Sequence, residues 1–268
     1  MEVVRRQGLL VTGRTELHAR PAALTDLRQA PTPDLLVVTT KAYDTARAAA
    51  AAENARVVGP ATRVLTLQNG LGNAEALHAR FGDRVLVGVT SHGVTFVEPG
   101  HVRHAGLGYL RLGSPYGAPV DDVVEAFAAC GLGAERAADV WGEVWAKVVV
   151  NVAINPATAI TSLPNGALLQ ARELAEVMER AAEEAVAVAE AAGVRLPPDD
   201  LVARARQVAE RTAENRSSML QDVERGRRTE IDAICGEIVA RGLARGIDTP
   251  VNMTLTALVK GIEESTRR

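Results

Sequence analysis

The chain has 268 residues, 47% of them hydrophobic and 24% charged, which supplies a full-sized core and excludes a disordered chain. A formal net charge of −3, the lack of any basic stripe and an aromatic content of 3% exclude nucleic acid as a partner. Cys130 and Cys235 lack CxxC spacing, so no disulfide scaffold or zinc site is expected and a reducing cytoplasm fits.

In chain order, residues 9–11 and 17–20 read as short strands around a turn at Thr12-Gly13-Arg14. Residues 34–40 form a continuous apolar run of strand length, the pattern of a buried strand in a parallel sheet. A helix from Asp44 through the alanine run, a strand at 63–67, a helix at 73–80 and a strand at 84–90 come next. Residues 94–97, 102–104 and 109–112 suggest a small antiparallel meander, with His101 and His104 in a polar turn rather than a metal-ligand pair. A helix at 120–129 and a last strand at 132–136 complete this half. From Asp139 the apolar residues recur with a helical period of about 3.6, giving helices at 174–192, 199–211, 230–245 and 250–264. The outline is an α/β domain over 1–138 and an all-helical domain over 139–268, a plan that many nicotinamide-dependent dehydrogenases share by analogy of fold. No apolar run has the length of a membrane span, and the opening MEVVRRQGLLV is too short an apolar patch for a signal peptide.

A dinucleotide-binding sheet opens with a strand, GxGxxG and a helix. Gly70-Leu-Gly72-Asn-Ala-Glu75 comes nearest, but ends in glutamate and reads as a βα turn. Lys41 and Asn69 each lie just past the carboxyl end of a predicted parallel strand, where open α/β sheets bind ligands, and should line one crevice. The segment Trp145-Ala-Lys147-Val-Val-Val-Asn151-Val-Ala-Ile-Asn155-Pro156 carries the strongest chemical signal. Residues four apart on a helix lie about 40° apart round its axis, so Lys147, Asn151 and Asn155 share one polar stripe on an otherwise apolar helix. Burying one cation and two amides requires partners, and a substrate with a carbonyl and a carboxylate would supply them. An internal hydrogen-bond network or a solvent-facing stripe is the structural alternative. Pro156 should kink or end this helix at Asn155. Pro164-Asn165-Gly166 reads as a turn. Ser218, with Gln221, suits a capping box, and Glu230 suits a first helical turn after Thr229.

Together these segments resemble the ketopantoate reductase family. The matching stretches are Thr40-Lys41-Ala42, Gln68-Asn69-Gly70-Leu-Gly72, Trp145 through Asn155-Pro156, Pro164-Asn165-Gly166, Glu214-Asn215 through Asp222, and Thr229-Glu230-Ile231-Asp232. The resemblance implies a Rossmann-type domain and then a helical one, with the active site in a cleft between them, and NADPH-dependent reduction of 2-dehydropantoate to pantoate for pantothenate and coenzyme A synthesis. It implies that Lys147 is the proton donor and that Asn151, Asn155, Asn165 and Ser218 bind substrate. Lys41, Asn69, Val94 (through its backbone) and Glu230 would contact the cofactor, no metal is implied, and a homodimer is compatible. Family members begin with a βαβ unit bearing GxGxxG. The opening at Glu2 resembles the stretch immediately downstream of that unit, so a start set too late, or a true truncation, is expected. The competing readings are a reductase of another 2-keto acid and a cofactor-deficient, non-catalytic relative.

Overall fold

The computed structural model describes residues 1–266. The chain divides into two units: one comprises Met1–Thr40, Asp44–Gln68 and Ala74–Val140, and the other comprises Lys41–Tyr43, Asn69–Asn73 and the chain from Trp141 onward.

In the first unit the apolar runs become β3 (Leu35–Val38), β4 (Arg63–Thr66) and β5 (Val85–Thr90), paired in parallel. β8 (Leu110–Gly113) joins antiparallel to β5, and β9 (Ala134–Arg136) lies parallel to β8, giving the order β3-β4-β5-β8-β9. Successive side chains point to opposite faces. Val64 and Val85 therefore pack with Ala49, Ala52, Leu77 and Phe81 of α2 (Thr45–Asn54) and α3 (Asn73–Phe81). Leu65 and Leu86 pack on the other face with Leu112 and with Val123 of α4 (Asp121–Ala129). Burial on both faces is why apolar residues occupy consecutive positions in these strands.

After the short helix α1 (Glu2–Gln7), a second sheet forms from β1 (Leu9–Gly13), β2 (Leu17–Ala19), β6 (Gly93–Glu98) and β7 (His101–Gly106), in the order β2-β1-β7-β6. The expected three-stranded meander is thus corrected. The 93–106 hairpin pairs with β1 in parallel, while the 110–113 strand leaves for the larger sheet, where Leu110 and Leu112 are buried. His101 and His104 lie within β7 rather than in a turn. They form hydrogen bonds with Thr12 Oγ1 and Thr15 Oγ1, each at 2.9 Å.

The second unit is helical: α5 (Val140–Thr161), α6 (Arg172–Ala191), α7 (Leu201–Arg211), α8 (Ser218–Glu224), a π-helical turn at Asp232–Gly236, α9 (Glu237–Leu243) and α10 (Pro250–Thr266). Val148, Val149, Val152 and Ala153 of α5 sit among Met178, Ala182 and Ala185 of α6, Ala205 and Ala209 of α7, and Ile234 and Ile238. Contrary to the expectation from its apolar runs, α5 is long and apolar enough to cross a membrane. However, 72% of its apolar window is buried, as in the central helix of a bundle. Pro156 does not break it: the helix continues to Thr161. Proline removes one donor there. Burial of the surrounding residues holds the helical path across it. Cys130 is exposed; Cys235 is fully buried, and burial pushes its thiol well above the ordinary range, which makes it inert.

Candidate active site

Every predicted site residue except Val94 belongs to the second unit. Lys147, Asn151 and Asn155 lie on α5 at the four-residue spacing that makes one stripe. Lys147 is half-buried, and loss of solvation pushes its ammonium down from 10.5 to about 8, against an upward pull from the charge of Glu230. Asn155 is buried, and the Nδ2 of Asn151 is a buried donor without a hydrogen-bond partner.

Glu230 lies in the bend before the π-helical turn, not inside a helix. The residue before it is anchored twice: Thr229 N donates to Glu263 Oε1 at 2.6 Å, and Thr229 Oγ1 accepts from Ile231 N at 3.2 Å. The buried Glu230 carboxylate then accepts from Ala42 N at 2.9 Å and from Asn69 Nδ2 at 3.5 Å, with Lys41 Nζ at 3.7 Å. Lys41 also donates to Asp222 Oδ2 at 2.5 Å. Burial disfavours the Lys41 charge, but Asp222 and Glu230 outweigh it and hold this ammonium above its ordinary range. The two lysines are therefore shifted in opposite senses, Lys41 upward by its carboxylates and Lys147 downward by burial. Asp222 was missed in the sequence, although it stands four residues after Ser218 on one short helix.

The Asn69 turn is held against the same region. Leu71 N donates to Ala233 O at 2.8 Å, and Gly70 adopts φ 85°. A Cβ on Gly70 would lie 2.4 Å from Ala233 O. Gly70→Ala should therefore lower stability by roughly 2 kcal/mol or more, read as a shift in denaturant midpoint. An unchanged midpoint would contradict this packing.

The helix cap is corrected. Ser217, not Ser218, caps α8: its Oγ accepts from Leu220 N at 3.1 Å and is hydrogen-bonded with Thr158 Oγ1 at 2.7 Å. Gln221 donates to the carbonyl of Arg216 instead of closing a capping box. Ser218 is left as the first helical residue, exposed. Asn165 is 7% exposed; its N–H donates to Asn215 O at 2.9 Å. Val94 belongs to the first unit, on β6 at a register shift, with 58% of its surface exposed. The structure thus gathers Lys41, Asn69, Asp222 and Glu230 into one polar cluster, coupled electrostatically to Lys147, and ties the Asn165 turn to the segment that leads into Ser217.

The family described as ketopantoate reductase PanE/ApbA matches residues 1–117, and its C-terminal counterpart matches residues 139–263. The 2-dehydropantoate 2-reductase of Halobacterium salinarum is 45% identical over 267 residues, spanning 96% of this chain and 86% of that protein. The enzyme of the same name from Archaeoglobus fulgidus is 41% identical over 261 residues, spanning 96% of this chain and 85% of its own. The crystal structure of a PanE/ApbA family ketopantoate reductase from Ralstonia eutropha superposes with a TM-score of 0.92 at 36% identity, covering 100% of this chain and 88% of that one. With both family segments matched in order and the whole fold shared, the chain belongs to the ketopantoate reductase family.

Proposed function

We propose that this chain reduces 2-dehydropantoate to pantoate with NADPH as hydride donor, in the cytoplasm, with Lys147 donating the proton. The observation that carries the reading is a half-buried lysine lowered to about 8 beside a buried carboxylate, on a helix that also presents two amides. The residues fit the nicotinamide riboside part of the cofactor. Glu230 and Asn69 offer an acceptor and an amide suited to ribose hydroxyls and a carboxamide, and Lys41 supplies a fixed cation. Val94 would contribute a backbone contact. No GxGxxG for the pyrophosphate occurs in the 268 residues.

When bound, the nicotinamide supplies the hydride to the keto carbon. The alkoxide that develops there needs a positive partner and then a proton, and the Lys147 ammonium can be both. The unpaired Asn151 donor suits a substrate carboxylate or carbonyl, and Asn155, Asn165 and Ser218 complete the substrate side without adding charge that would compete with Lys147. Lys147 works protonated, so the sign of the pH dependence is fixed: kcat/KM for the keto acid should be level below about 8 and fall as pH rises through that value. A steady-state pH profile with NADPH and 2-dehydropantoate tests the reading. A rate that rises through pH 8, or no keto-acid-dependent NADPH oxidation, would overturn it. Parallel runs with NADH decide the nucleotide.

A further inference from the structure

Asn165 has a side chain whose two ends are not equivalent. Its Nδ2 donates to Thr212 Oγ1 at 2.8 Å, whereas its Oδ1 is buried with no donor in reach. The direction of this amide is set by Thr212. That hydroxyl lies 2.6 Å from the carbonyl of Val208, one turn back on α7, and a carbonyl only accepts. The threonine proton is therefore committed, and its oxygen can only accept from Asn165. Flipping the amide would set its oxygen against the hydroxyl oxygen, so the carbonyl end must face away from Thr212.

The backbone fixes the rest. Asn165 N donates to Asn215 O at 2.9 Å and Gly166 N to Ala213 O at 3.1 Å, so residues 212–215 grip the turn at three points. The approach is close enough that a Cβ on Gly166 would lie 2.5 Å from the Ala213 Cβ. A buried acceptor left without a donor is costly, and Asn165 cannot relieve it by rotating. The carbonyl and carboxylate of a keto acid are acceptors only; the donor this oxygen lacks is a hydroxyl.

Building on the reading of Lys147 and its amides as a keto-acid site, we propose that Thr212 is a positioning residue that locks the Asn165 oxygen as an acceptor and so selects 2-keto acids carrying a hydroxyl. Neither Thr212 nor the polarity of Asn165 is evident from spacing in the sequence.

The test compares kcat/KM for 4-hydroxy-3,3-dimethyl-2-oxobutanoate and for 3,3-dimethyl-2-oxobutanoate, the same acid without its hydroxyl. Thr212→Val and Thr212→Ala should each lower the ratio of the two about tenfold, through the hydroxylated acid. Thr212→Ser, which keeps the hydroxyl, should restore most of the wild-type ratio. The proposal is overturned if Val and Ala variants keep that ratio, or lose rate equally on both acids. It is equally overturned if melting by circular dichroism shows both unfolded while Thr212→Ser is folded, since Thr212 is then structural. A wild-type chain that reduces neither acid sinks the keto-acid reading itself, and this inference falls with it.

Discussion

Lys147→Ala should lower kcat for 2-dehydropantoate reduction by about 10²–10⁴-fold, the range lost when a positioned proton donor is removed. The substitution takes away the ammonium that burial lowers to about 8 and leaves the carboxylates around Lys41 in place. Nucleotide affinity, measured by fluorescence titration, should change far less than kcat. Lys147→Arg is the sharper comparison. Arginine keeps the positive charge but, with a pKa above about 12, cannot give up its proton, so it should recover carbonyl polarisation and little turnover. Wild-type-like turnover in the alanine variant would remove Lys147 from the chemistry.

Glu230→Gln carries the second large effect, because this carboxylate serves several neighbours at once. It accepts from Ala42 N and Asn69 Nδ2, faces Lys41, and holds Lys147 higher than burial alone would. Glutamine preserves the shape and removes the charge. The falling limb of the pH profile should move to lower pH, and kcat/KM at pH 8 should drop roughly 10–100-fold as Lys147 loses protonation and Lys41 loses one counter-charge. Glu230→Ala should in addition cost roughly 1–3 kcal/mol of stability by leaving buried donors without an acceptor. A pH profile unmoved in the glutamine variant would show that Glu230 does not tune Lys147.

The features legible in the sequence are those that local periodicity encodes. Lys147, Asn151 and Asn155 declare a shared face through their spacing alone, and the strand at 35–38 announces its place in a parallel sheet by an unbroken apolar run. What stayed hidden was decided by partners far along the chain. Ser217 and Ser218 are interchangeable to any local capping rule; Thr158, 59 residues earlier, selects the first of them. Pro156 breaks helices by local rules, and the packing around α5 overrides them. The strand at 110–113 belongs to the larger sheet because its leucines complete that core, and the role of Asp222 depends on a lysine 181 residues away.

The opposed tuning of the two lysines also bears on how a turnover ends. With both ammoniums protonated, Lys41 and Lys147 balance the carboxylates of Asp222 and Glu230, and the cluster is neutral. In the proposed reaction Lys147 would give up its proton, and Glu230, whose charge raises the proton affinity of Lys147, would remain in place as the alcohol forms. That charge would favour recapture of a proton from water by Lys147. The Glu230 carboxylate that faces Lys41 would thereby also restore the donor for the next cycle.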